Sequence, residues 1–197
     1  MLKRLFDVTA AAAGLFFLGP LLLLIAAIVK LDSRGPVFYR GRRTGLHGRP
    51  FFIYKFRTMV PDAELRGSTA TAHRDPRITR VGHLLRKYKL DEFPQLLNVL
   101  NGDMSIVGPR PEVEEHTSVY TPEEQVILTV RPGITDYSSI RFVNLGELLG
   151  SDDPNRVFIE KYRSEKNRLR IEYVQKQSFL EDLRIIFRTL MTVFGRR

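Results

Sequence analysis

Residues 89–111 read KLDEFPQLLNVLNGDMSIVGPRP, and the rest of the chain can be read outward from them. Asp91 and Glu92 are adjacent carboxylates just ahead of an apolar run, Leu96, Leu97, Val99 and Leu100, whose spacing predicts a helix. Pro94 falls in its first turn, where a missing N–H costs nothing, and Asp91 is placed to be the N-cap. The pair would then sit at the positive end of the helix dipole. Asn101-Gly102 predicts the helix stop and residues 104–107 a short strand. Gly108-Pro109-Arg110-Pro111 then presents an arginine on a backbone stiffened by proline on both sides. Taken singly, these parts are bland, since an Asp at a helix start is an ordinary cap. Together, two carboxylates beside a fixed guanidinium point to chemistry on a phosphorylated substrate with a divalent cation.

Composition narrows the partners. Lys and Arg number 31 against 22 Asp and Glu, a net charge of +9, which suits lipid headgroups, nucleic acid or phosphorylated substrates. The chain has no cysteine, which excludes disulfides and thiolate metal sites. His47, His73, His83 and His116 are scattered without ligand spacing.

The stretch LDEFPQLLNVLNGDMSIVGPRP resembles the bacterial sugar transferase family, the small monotopic phosphoglycosyl transferases. The resemblance continues upstream in PVFYRGRRTG, FFIYKFRTM and DPRITRVGHLLRKYKLDE, and downstream in RPGITDYSSI. It covers nearly the whole chain, most weakly over 118–130 and beyond 144. It implies a catalytic dyad at Asp91 and Glu92, and transfer of a sugar 1-phosphate from a UDP-sugar to polyprenyl (undecaprenyl) phosphate with release of UMP. It also implies a place on the cytoplasmic face of the bacterial inner membrane. The chain departs from the family pattern at Gly19, where many members have Ser, at Asp136, where many have Gly, and at Arg170, where many have Asp.

Residues 10–29, AAAAGLFFLGPLLLLIAAIV, carry no charge and approach the ~20 apolar residues of a spanning helix. The run is longer than a signal-peptide core, and no small-x-small cleavage site follows it. Gly19-Pro20 falls at its centre, and both flanks are cationic, with Lys3 and Arg4 before and Lys30, Arg34, Arg40, Arg42 and Arg43 after. Each flank prefers the cytoplasm, which a helix bent at Pro20 satisfies and a straight span does not. The residues alone leave both topologies open; the resemblance implies the re-entrant one.

Residues 36–39 and 50–56 read as two strands around a turn at 41–48, with Lys55 and Arg57 on one face. Residues 59–66 read as helix and 67–73 as a polar loop, and Arg74, Arg77, Arg80 and Arg86 lead to the dyad. Helices are predicted over 112–120 and 122–128, the second opened by a Thr121–Glu124 capping box. Arg131-Pro132-Gly133 is a second cation at a constrained turn, and 153–173 reads as a charged helix with no chemistry attached. Residues 178–194 place Phe179, Leu183, Ile186, Phe187, Leu190 and Phe194 on one helical stripe, with cations at Arg184, Arg188, Arg196 and Arg197, as in an in-plane interfacial helix.

The expected fold is therefore α/β, α-rich with short strands, in a single membrane-associated domain. A re-entrant membrane helix over 1–33, broken at Gly19-Pro20, precedes a cytoplasmic catalytic domain over 34–197 that ends in the amphipathic helix. In the reaction the resemblance implies, Asp91 is the nucleophile toward the β-phosphorus, and a covalent phosphosugar intermediate splits the exchange into two displacements. Charge repulsion between carboxylate and diphosphate calls for Mg²⁺, held by Asp91 and Glu92, and for cations drawn from Lys55, Arg57, Arg86, Arg110 and Arg131. Glu92 either holds the metal or assists the incoming lipid phosphate. The rival readings are weaker. A nucleic-acid binder leaves the apolar segment unexplained and shows no recognition motif, and a membrane scaffold gives no reason for the dyad. A membrane-anchored UDP-sugar hydrolase shares the site but uses water as acceptor. No motif encodes the sugar.

Overall fold

The computed structural model describes residues 1–61, 63, 75–149 and 153–195, without the side chain of Phe194. Its elements in chain order are α1 (Leu2–Asp32), β1 (Phe38–Thr44), β2 (Pro50–Phe56), α2 (Arg80–Lys87), α3 (Gln95–Asn101), β3 (Ser105–Val107), α4 (Glu114–Thr117), β4 (Gly133–Thr135), α5 (Tyr137–Arg141), α6 (Leu145–Leu148), α7 (Pro154–Val157), α8 (Arg163–Lys176) and α9 (Phe179–Phe194). The chain is mostly helical with four short strands, as expected of an α-rich α/β protein.

Helix α1 is long and apolar enough to cross a membrane. It runs without interruption through Gly19-Pro20, where the expectation was a break; Pro20 only removes the N–H that the helix would use there. One face packs on the rest of the chain near both ends. Ala11 joins Ile53, Leu96 and Val99 in one core, and Ile25 and Val29 join Phe56 and Leu85 in another. The other face leaves Phe16, Phe17, Leu23, Leu24 and Leu31 exposed. Polar contacts fasten its first turns: Lys3 Nζ bonds Asp182 Oδ2 at 2.6 Å, Arg4 donates to the carbonyls of Val99 and Leu100, and buried Asp7 accepts from Ser105 Oγ and Ile106 N.

Strands β1 and β2 form an antiparallel hairpin from Phe38↔Phe56 to Thr44↔Pro50. The first strand runs to Thr44, five residues past the expected end, because Arg42, Arg43 and Thr44 find ladder partners in Phe52, Phe51 and Pro50. Strands β3 and β4 pair in parallel, Ser105↔Gly133 and Val107↔Thr135. They approach so closely that a Cβ on Gly133 would lie 2.0 Å from Gly108 N. That approach sets the loop carrying Arg110.

The capping box is made reciprocally, Thr121 N to Glu124 Oε2 and Glu124 N to Thr121 Oγ1, although the turns that follow are 3₁₀ over Glu124–Thr129. The helix expected over 112–120 is one turn, α4. The charged helix is interrupted: α7 leads through a π-turn, Phe158–Tyr162, into α8. Of the helix expected over 59–66, Met59 instead bridges Ile78. The rest of that segment falls mostly outside the described residues, as do the loop at 67–73, Arg74, Arg196 and Arg197. Helix α9 is two-faced. Ile185 is buried with Val107 and Tyr173, while Leu180, Phe187, Leu190 and Met191 are exposed.

Candidate active site

The dyad reaches its position through the connection between α2 and α3. Lys89 turns the chain at φ 57°, in the left-handed region that is uncommon for a side chain other than glycine, Asn or Asp. Leu90–Glu92 then form their own 3₁₀ turn, and α3 starts at Gln95 with Pro94 in the cap position. Asp91 is thus not the N-cap of the following helix, as the sequence predicts. It lies a turn ahead, because Pro94 takes the helix start for itself. The buried face of α3 also differs from the apolar stripe. Leu96 and Val99 are inside with Gln95 and Asn98, while Leu97 is exposed. Asn98 accepts from Tyr54 N at 2.9 Å and donates to Phe52 O at 2.8 Å, so it occupies the free edge of β2 and fixes the dyad segment to that strand.

From β2, Lys55 Nζ donates to Glu92 Oε1 at 3.0 Å, and from the GPRP loop Arg110 Nη2 pairs with the same oxygen. Arg110 is held further by Nη1 to Ile134 O at 3.0 Å and by its backbone N to Asp136 Oδ2 at 3.3 Å. Asp136 itself accepts from the hydroxyls of Ser138 and Ser139, so it ties the GPRP loop to α5. Arg86 Nε, on α2, donates to Thr58 Oγ1 at 2.8 Å.

Burial acts on both carboxylates, but with opposite results. It would raise Glu92, yet Arg110 and Lys55 outweigh it and hold that carboxyl well below its ordinary range. Asp91 is raised, first by burial and then by the charge of Glu92. Burial also lowers Lys55 and Arg86, although Glu92 and Asp91 respectively pull against it. Asp91 Oδ1 is buried and, among the described residues, accepts no hydrogen bond; the Gln95 amide is likewise unpartnered.

Two of the expected phosphate-binding cations bond helix ends. Arg57 is buried at the end of α1, where Nη2 donates to Val29 O and Ser33 O. Arg131 Nε donates to Gly102 O, at the end of α3. Both serve as cationic caps on helix C-termini. Conversely, a buried charge cluster went unassigned in the sequence. Glu112, just past the GPRP loop, pairs with Arg170 and lies 3.6 Å from Lys166 and 3.3 Å from His116 Nδ1. Burial would raise Glu112, but Arg170 and Lys166 hold it well below the usual range, and burial pushes Lys166 down to about 8. Its only local signal is a charged residue next to a rigid loop. Between the dyad's cations and this cluster lies a cavity of about 240 Å³.

Comparison with known proteins bears on what this site belongs to. The family model described as bacterial sugar transferase matches residues 1–196. The chain belongs to that family. Among its relatives are an undecaprenyl-phosphate glucose phosphotransferase of Komagataeibacter xylinus, 40% identical over 98% of this chain and 36% of that protein, and a UDP-glucose:undecaprenyl-phosphate glucose-1-phosphate transferase of Caulobacter vibrioides, 40% identical over 95% of this chain and 68% of that protein. A UDP-N-acetylgalactosamine-undecaprenyl-phosphate N-acetylgalactosaminephosphotransferase of Aeromonas hydrophila is 35% identical over 100% of this chain and 45% of that protein. The chain thus spans less than half the length of two of these relatives. Their names differ in the sugar and agree on the undecaprenyl phosphate acceptor.

Proposed function

We propose that this sugar transferase moves a sugar 1-phosphate from a UDP-sugar to polyprenyl (undecaprenyl) phosphate, releasing UMP, at the cytoplasmic face of the bacterial inner membrane. The observation that carries the reading is the unequal dyad: Lys55 and Arg110 both bond Glu92 Oε1, whereas Asp91 keeps a buried oxygen without a donor among the described residues. An oxygen with no hydrogen bond retains its electron pair for attack. Asp91 attacks the β-phosphorus, a carboxylate O–P bond forms, and the bond to the bridging oxygen breaks, so that UMP leaves with the electron pair. An oxygen of the lipid phosphate then attacks the same phosphorus and expels Asp91, giving the polyprenyl diphosphosugar.

Glu92 holds Lys55 and Arg110 together beside that phosphorus, where they offset the repulsion between carboxylate and diphosphate. The adjacent hard carboxylates of Asp91 and Glu92 fit Mg²⁺, which one or two carboxylates plus substrate phosphate commonly hold. When bound by Asp91 and Glu92, the ion would neutralise charge on the diphosphate.

A re-entrant α1 is supported by its packing. Its 31 residues extend about 46 Å at 1.5 Å per residue, against a hydrocarbon core of about 30 Å. Lys3, Asp7 and Ala11 near one end and Ile25 and Val29 near the other nevertheless hold to the same body, which a helix crossing the bilayer away from that body does not allow. The exposed apolar residues of α1 and α9 face lipid in this reading, and α9 lies in the interface.

The test is UMP release from a panel of UDP-sugars by the full chain in bilayer nanodiscs with Mg²⁺, with and without undecaprenyl phosphate. Release that requires the lipid and yields diphospholipid supports the transferase. Equal release without it makes the enzyme a hydrolase.

A further inference from the structure

The cavity of about 240 Å³ beside the dyad is smaller than the roughly 300–1,000 Å³ of pockets that take drug-sized ligands, so it has room for one ring and not for a whole nucleotide. One wall is Lys55 and Arg110, the two cations bound to Glu92. Glu112 and Lys166 also line the cavity, and Leu149 and Phe158 supply apolar surface. We propose that this cavity is the donor's sugar pocket, with Lys166 and Glu112 reading the hydroxyl pattern of the ring. The proposal rests on the transferase reading above and names the part of the donor the site selects.

In-line displacement sets the geometry. With Asp91 attacking, UMP departs from the far side of the β-phosphorus, and the sugar oxygen occupies a lateral position. The cavity is lined by the two cations on Glu92 and not by Asp91, as a site for a group lateral to the line of attack requires. The lining also suits a pyranose better than a base. A base commonly stacks on an aromatic face, but the Phe158 ring already carries the His116 ring stacked at 5.3 Å and the Lys166 ammonium at 4.8 Å. A pyranose presents C–H to Leu149 and hydroxyls to charged groups. Lys166 has three donors, and its contacts to Glu112 at 3.6 Å and to Phe158 leave it able to bond a hydroxyl. Glu112 is ionised and fixed by Arg170, so it is a pre-oriented acceptor.

The experiment measures kcat/KM for UDP-glucose, UDP-galactose, UDP-N-acetylglucosamine and UDP-N-acetylgalactosamine with undecaprenyl phosphate, and inhibition by UMP, on the full chain and on Lys166→Met, Lys166→Arg and Leu149→Trp. Lys166→Met and Leu149→Trp should shift the ratio of kcat/KM between the best two donors by roughly tenfold or more. UMP inhibition should stay unchanged, and Lys166→Arg should restore part of the ratio. A uniform fall with weakened UMP inhibition would place the nucleotide in the cavity. Unchanged ratios would remove the cavity from donor recognition, and either result overturns the proposal. If the wild type transfers nothing to lipid, the transferase reading fails separately, and equilibrium binding decides the pocket. A gain in affinity of UDP-sugar over UDP that Lys166→Met abolishes supports it, and a gain equal in both proteins overturns it.

Discussion

Asp91 is the harder of the two dyad carboxylates to ionise, because burial and the neighbouring charge of Glu92 both raise it. Glu92 is the easier, because Arg110 and Lys55 lie on it. That split gives the residue-scale predictions. Arg110→Ala should cost roughly a hundredfold in kcat, the usual loss when one donor to a developing charge is removed, measured as UMP release. The buried pair of Glu112 and Arg170 should be worth about 3–5 kcal/mol when only one partner is removed, because the other charge is left buried and unpaired. Chemical denaturation of Glu112→Gln, Arg170→Met and the double variant checks this, and the double should recover part of the loss. The pH dependence has a definite sign. Glu112 is depressed in the folded state, so its contribution is complete above its ordinary 4.5 and is lost as pH falls from there toward the folded value. The melting temperature should therefore fall on acidification below about that pH, and less steeply in Glu112→Gln. Lys55, Arg110 and the dyad were legible because they belong to contiguous motifs. Arg57 and Arg131 look the same in sequence, yet their partners are the carbonyls of helix ends, which no local pattern shows. Asn98 and Gln95 were missed because apolar periodicity does not count polar residues on a buried face.

At the scale of elements, close approaches of backbone carry the precision of the site. The β3–β4 contact is set by Gly108 and Gly133, and Arg110 is two residues beyond it. Gly133→Ala should destabilise the fold by about 1–3 kcal/mol through overpacking and also reduce turnover, because the strands must separate. Thermal melts and UMP release read the two effects, and turnover of the surviving folded fraction equal to wild type would contradict the link. Helix existence was readable from spacing for α1, α3, α8 and α9, since each carries a periodic apolar or charged pattern. Their limits were less so. The extension of β1 to Thr44 and the π-turn at Phe158–Tyr162 depend on ladder partners and packing that lie far along the chain.

For the whole molecule, the proposed function has a chain of net charge +9 work on an anionic lipid at a membrane. In the proposed reading the exposed apolar faces of α1 and α9 supply the attachment, and the polar fastening of Lys3, Arg4 and Asp7 keeps the start of α1 on the rest of the chain. Single cysteines at Leu2 and Arg34, both exposed, should be protected from membrane-impermeant maleimide in intact cells. Labelling of one and protection of the other would make α1 a spanning helix. The chemistry has an equally direct test. Full-length protein is incubated with UDP-sugar labelled with ³²P at the β-phosphate, without lipid acceptor, and then denatured. The wild type should retain label on the protein with an equal amount of UMP released, and Asp91→Asn should retain none. If the wild type stays unlabelled while rapid quench shows product forming only with both substrates bound, transfer is direct, and Asp91 is not the nucleophile.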